Sequence, residues 1–95
     1  MPEIRQGTDA AGIRVVIVDD HDLFRTGLRN LLEEQGVQVV GEAAAGGEAI
    51  RAVADLTPDV VVMDLNMPGI SGVEATRQIT SISPLTRVVV LTISD

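Results

Sequence analysis

The chain contains no cysteine, no lysine, no tryptophan and no tyrosine, and only one phenylalanine. Without cysteine there is no disulfide staple, which fits a reducing cytoplasm. With almost no aromatic residues, a hydrophobic fraction of 45% has to build its core from Val, Ile, Leu and Ala. No apolar run approaches the roughly 20 residues that cross a bilayer, and no basic region followed by an apolar block opens the chain. A membrane span and an export signal are therefore not expected, and the expected location is cytoplasmic. The missing lysine leaves seven arginines as the whole basic complement against 14 acids, a formal net charge of −7. That balance disfavours a nucleic-acid surface on this segment, because affinity for phosphate backbones rests on clustered Lys and Arg.

What is present suits one small domain. "MPEIRQGTDAAG", residues 1–12, mixes Pro, Gly and charge without periodicity and reads as a lead-in, so the domain is expected over residues 13–95. "IRVVIV" from Ile13 is a β-branched run of strand length ending on Asp19 and Asp20. His21 or Asp22 then caps a helix whose Phe24, Leu28, Leu31 and Leu32 recur at helical spacing until Gly36. The cycle repeats: "VQVVGEA" as strand, "GGEAIRAVADL" as helix with Ile50, Val53 and Ala54 on one face, and a break at "TPD". "VVVMDL" from Val60 is a third strand. Val73 to Ile82 is a third helix, inward-facing at Val73, Thr76 and Ile79, and "RVVVLT" from Arg87 is a fourth strand. Alternating strands and helices predict an α/β fold with an open, doubly wound parallel sheet. A sheet that ends on the fourth strand would leave an edge uncovered, which invites pairing with a second copy, so a homodimer is an expected form.

In such a sheet the functional crevice lies at the carboxyl ends of the strands. Asp19 and Asp20 follow the first strand, Asp64 the third and Thr92 the fourth. If the first and third strands are neighbours, three carboxylates converge. Two unit negative charges about 4 Å apart repel by about 4 kcal/mol at an effective dielectric near 20. Such a group needs a proton or a cation, and hard oxygen ligands of this kind suit Mg²⁺. A carboxylate beside Mg²⁺, with a hydroxyl nearby, is placed for phosphoryl transfer and can itself be the nucleophile. Asp64 is the best candidate because it stands alone on its strand. Taken singly, each of these residues has a plainer role: an Asp after a strand caps or turns the chain, and His21 reads as a loop or capping residue. The functional reading rests on their joint arrival at one rim.

These segments resemble the receiver domain of two-component response regulators over nearly all of residues 13–95. "VVIVDDH" resembles the family's first-strand acidic pair, "VVVMDLNMPGISGVE" its phosphoacceptor strand and following loop, and "VVVLT" its switch-threonine strand. "DDHDLFRTGLRNLL" is similar to the subfamily that carries a C-terminal helix-turn-helix DNA-binding domain. The resemblance implies a flavodoxin-like fold with strands in order 2-1-3-4, four of the family's five being present. It makes Asp64 the phosphorylated residue, Asp19 and Asp20 the Mg²⁺ site together with Asp64, Asp20 rather than Asp19 being the direct ligand of the pair, and Asn66 a backbone-carbonyl ligand. Thr92 becomes the switch hydroxyl, and Asn66 and Ser94 the positions that tune dephosphorylation. The implied phosphodonor is a sensor histidine kinase or a small molecule such as acetyl phosphate, and DNA would be reached only through a domain outside this chain.

Two departures stand out. The family's fifth strand begins with a Lys that pairs with the phosphoryl group, and this chain has none, so weak or no stable phosphorylation is expected of these 95 residues alone. Ile93 stands where a smaller residue often follows the switch Thr. Two other functions compete with the receiver reading. One is a non-phosphorylated assembly module that pairs through its fourth strand. The other is a small aspartyl-nucleophile phosphatase, which wants Asp where this chain has Asn66.

Overall fold

The computed structural model describes residues 12–65, 67 and 69–91. Four strands alternate with three helices: β1 (Arg14–Val18), α1 (Asp22–Glu34), β2 (Gln38–Ala43), α2 (Gly46–Leu56), β3 (Val60–Asp64), α3 (Gly72–Ile82) and β4 (Arg87–Leu91). All strand pairs are parallel and the order is β2-β1-β3-β4, as expected from the sequence. β1 and β3 are neighbours, with Val15 opposite Val60 and Val18 opposite Met63. The expected lead-in falls largely on residues 1–11, which lie outside the described residues.

The period of two along β1 divides the core between the faces of the sheet. Val16 and Val18 join Val61, Met63, Ala49, Val53, Ala75 and Ile79 on the side of α2 and α3. Val15 and Ile17 face Leu28 and Leu32 of α1 with Val39. Ile17, Met63 and Ile79 are fully buried, and each such side chain stabilises the fold by about 1.5–3 kcal/mol relative to an exposed one. β4 closes one edge of the sheet with Val89 and Val90 exposed.

The inward-facing assignment of Val73 does not hold, and two apolar residues read at helical spacing are not in the core. Val73 is 73% exposed and Leu31 56% exposed, and Ala54 is exposed. In α2 and α3 the buried stripe has the same spacing and the same chemistry: Gly46, Ala49 and Val53 in one, Gly72, Ala75 and Ile79 in the other. Small residues let these helices approach the sheet and each other, a signal that apolar periodicity weighted on large side chains overlooks. At Gly46 a Cβ would already stand 3.1 Å from Ile70 Cβ and 3.6 Å from Ala75 Cβ.

The helix ends follow local chemistry. Ser71 Oγ accepts the Glu74 N–H at 3.1 Å, a side-chain N-cap that sets the start of α3. Gly36 leaves α1 at a φ of 89°, a conformation that costs glycine little. Thr57 ends α2 at a φ of 41°, and Arg14 Nη1 donates to its carbonyl. At the far end of the sheet from the acidic residues, Thr86 Oγ1 donates to the Pro58 carbonyl and pairs with Ser83 Oγ beside a cavity of about 370 Å³.

Candidate functional site

The carboxyl end of β1 runs directly into Asp19, whose N–H still bonds to the carbonyl of Ala43, the last residue of β2. One step beyond the final β1–β3 pair, Val18 with Met63, the register brings Asp19 beside Asp64. Both are buried, at 2% and 5% exposure. Asp20 is partly exposed at the turn into α1. Ligand-capable atoms of Asp19, Asp20, His21 and Asp64 all lie within 4.8 Å of one another. The three carboxylates expected to converge therefore do so, on the rim expected for them.

The arrangement is held from several sides. Asp19 Oδ1 accepts the His21 N–H at 2.7 Å and faces His21 Nδ1 at 3.1 Å. Asp20 Oδ1 also lies 3.1 Å from His21 Nδ1, yet it is shielded from solvent and receives no hydrogen bond. The hydrogen bond to Asp19, followed by the charge of Asp20, raises the His21 pKa above its ordinary value, against some desolvation. Arg25 reaches the rim from α1: its Nη1 donates to the Asp19 carbonyl, its Nη2 to Asp22 at 2.7 Å and its Nε to Glu42 at 2.7 Å. Glu42, near the end of β2, also accepts from Arg29 Nη1. Burial opposes the ionised form of Glu42, but the bonds from Arg29 and Arg25 outweigh it and hold its pKa below the usual carboxylate range.

The donor set fits a hard divalent cation. Three carboxylates close together carry more negative charge than one imidazole neutralises, and a buried acceptor, Asp20 Oδ1, is left without a hydrogen bond. Asn66 and Thr92, with Ile93 and Ser94, lie outside the described residues.

Three residues of this site escape a reading of the sequence. His21 reads there as a loop or capping residue, but its side chain makes no cap hydrogen bond and turns to the acids instead. No arginine follows a strand at the rim, so none is expected there; Arg25 arrives from the helix, one turn past His21. Glu42 is visible only once β2 is paired with β1.

Comparison with known proteins agrees with this geometry. The family model for the response regulator receiver domain matches residues 15–95. The response regulator GacA of Pseudomonas viridiflava is 49% identical over 84 residues, which is 87% of this chain and 39% of that protein. The chain thus spans about two fifths of the length of that curated relative. Among solved structures, a LuxR-family two-component response regulator from Aurantimonas sp. SI85-9A1 is 46% identical with a TM-score of 0.81, over 86% of this chain and 59% of the other. A CheX–CheY–BeF3–Mg complex from Borrelia burgdorferi matches with a TM-score of 0.82 at 25% identity, over 86% of this chain and 63% of the other. With its four-stranded order, its acidic rim and these matches, the chain belongs to the response regulator receiver domain family.

Proposed function

We propose that this chain is a phosphoaccepting receiver in which Asp64 takes a phosphoryl group from a sensor histidine kinase with the help of Mg²⁺. One observation carries the reading: the ligand atoms of Asp19, Asp20 and Asp64 converge within 4.8 Å at the carboxyl rim of a parallel sheet. Asp19, Asp20 and Asp64 would hold the cation, with the Asn66 carbonyl as a further ligand. When bound, Mg²⁺ supplies charge neutralisation around the phosphoryl oxygens.

The residues divide the remaining work. One Asp64 carboxylate oxygen attacks phosphorus in line; the phosphorus–nitrogen bond of the donor phosphohistidine breaks, its electron pair stays on the imidazole, and an acyl phosphate forms on Asp64. Burial of Asp64 at 5% exposure limits water, which would otherwise hydrolyse that product. The Thr92 hydroxyl would donate to a phosphoryl oxygen, and Asn66 and Ser94 would tune hydrolysis. The signal passes to a helix-turn-helix output domain outside this chain, in a cytoplasmic transcription regulator that acts on DNA as a homodimer.

Intact-mass measurement of the full-length protein after treatment with acetyl phosphate and Mg²⁺ tests the chemistry. Wild type gains one phosphoryl group, and Asp64→Asn or excess chelator abolishes the gain. An Asp64→Asn protein labelled as readily as wild type overturns the proposal.

A further inference from the structure

Among the described residues, His21 is the acidic-rim residue whose geometry the phosphoacceptor reading leaves unexplained. It occupies the N-cap of α1, but its side chain contributes no cap bond. Its Nδ1 instead stands 3.1 Å from Asp19 Oδ1 and 3.1 Å from Asp20 Oδ1. A single N–H points along one line: it serves Asp19, and Asp20 Oδ1 remains a buried acceptor without a hydrogen bond. A proton on Nδ1 therefore satisfies one carboxylate and not both. A cation placed among the three atoms satisfies all of them. The spacing suits that role, since two neighbouring ligands of an octahedral ion with bonds of about 2.0–2.1 Å lie about 3.0 Å apart.

We propose that His21 is a direct ligand, through Nδ1, of the divalent cation held by Asp19, Asp20 and Asp64, and that this nitrogen biases the site toward transition ions. The inference rests on the proposed metal site and adds its selectivity. Carboxylates alone suit Mg²⁺, whereas an imidazole nitrogen suits ions such as Ni²⁺ and Zn²⁺. For Nδ1 to ligate, the neutral ring carries its proton on Nε2, and the imidazole has room to do so because its side chain is 66% exposed. The same exposure gives an incoming ion a path. The described residues then supply three carboxylate oxygens and one nitrogen.

The sequence makes the test clean, because His21 is the only histidine in the chain. The native sequence without an affinity tag, labelled with ¹⁵N-histidine, is titrated with Zn²⁺. Its Nδ1 resonance is expected to move to the region of a metal-bound imidazole nitrogen while Nε2 keeps its proton. In parallel, calorimetry compares Ni²⁺ and Mg²⁺ binding to wild type, His21→Ala, His21→Gln and Asp20→Asn, with circular dichroism confirming that each is folded. Losing groups that merely orient a ligand costs metal affinity about 10–100-fold, so losing the ligand itself is expected to lower Ni²⁺ affinity at least about tenfold. Ni²⁺ affinity falls by a larger factor than Mg²⁺ affinity in both His21 variants, and Asp20→Asn weakens both ions. An unmoved Nδ1 resonance, or equal Ni²⁺ affinity in wild type and both His21 variants, overturns the inference while leaving the carboxylate site intact. Wild type that binds neither ion overturns the proposed metal site and the inference with it.

Discussion

Gly72 offers a sharp test of how packing controls the acidic rim. It opens α3 and lies against Leu65, the residue that follows Asp64. A Cβ added there would stand 2.7 Å from Leu65 Cδ2, 3.1 Å from Leu65 Cα and 3.5 Å from the Leu65 carbonyl oxygen. The clash with Cδ2 is soft, because Leu65 is 36% exposed and its side chain can turn away. The clash with the backbone carbon is hard. Relieving it requires a shift of roughly 0.4 Å to reach ordinary carbon–carbon separation near 3.5 Å, and what must shift is the backbone leaving Asp64. Overpacking of this kind costs about 1–3 kcal/mol. Alanine regains at most about 1 kcal/mol in helix propensity. Gly72→Ala is therefore expected to lose about 1–2 kcal/mol of stability. Gly27→Ala is the internal control: it lies within α1 with nothing within 4 Å of a new Cβ, and should gain about 0.5–1 kcal/mol. Urea unfolding followed by far-ultraviolet circular dichroism suits a chain without tryptophan or tyrosine. At an m value of about 1–2 kcal/mol/M, Gly72→Ala should lower the midpoint by about 1 M. A Gly72→Ala midpoint at or above wild type, tracking Gly27→Ala, would refute the packing argument.

Three further outcomes are expected. Ser71→Ala removes the side-chain cap on the Glu74 N–H and should cost about 1 kcal/mol in urea unfolding; no loss would mean that water caps α3 equally well. Glu42→Gln removes the anion shared by Arg25 and Arg29, and should cost about 1–2 kcal/mol at neutral pH. Because the folded Glu42 pKa is depressed below its ordinary 4.5, its stabilisation is present above that value and is lost as pH falls through the lower folded pKa. The gap between wild type and Glu42→Gln should therefore close in acid, and a gap that widens there contradicts the ion-pair reading. Mg²⁺ at about a hundred times its dissociation constant should raise wild-type stability by about 2.7 kcal/mol. Asp20→Asn should lose most of that gain, and an equal gain in both proteins would place the ion elsewhere.

The sheet was legible in the sequence because its strands are short β-branched runs bounded by polar and turn residues, and "VVVMD" and "VVIVDD" suit central strands of a covered parallel sheet. The carboxylate cluster was legible for the same reason: strand order alone puts Asp19 and Asp64 on one rim. Helix faces were less so. Val73 and Ala54 look inward to a reading that weights large or evenly spaced apolar residues, while the buried stripes run through Gly46 and Ala49, and through Gly72 and Ala75. Their smallness matters only once a neighbouring surface is close enough to need it. His21, Arg25 and Glu42 were invisible as a group because they come from a loop, a helix and a strand, and nothing in their sequence spacing relates Glu42 to the other two. The readings of Asn66 and Thr92 stand where the sequence left them, since both lie outside the described residues.

The way Asp19 is fastened bears on how the site responds to an ion. Its N–H is tied to β2 through Ala43, its carbonyl to α1 through Arg25, and its carboxylate to the backbone of His21. Arg25 is itself braced by Glu42, so α1 and β2 fix the first acid independently of any ligand. Each ionised pair within 4.8 Å repels by at least about 3 kcal/mol at an effective dielectric near 20. His21 relieves part of that repulsion at Asp19, through a hydrogen bond that does not reach Asp20 Oδ1. An arriving cation therefore gains mostly by cancelling repulsion already present and needs to order little of the described backbone. Binding should then track the charge and identity of the side chains at the rim more closely than the stability of α1 or β2. It follows that a variant weakening the Arg25–Glu42 brace should lose stability first and ion affinity second, whereas one altering Asp20 should do the reverse.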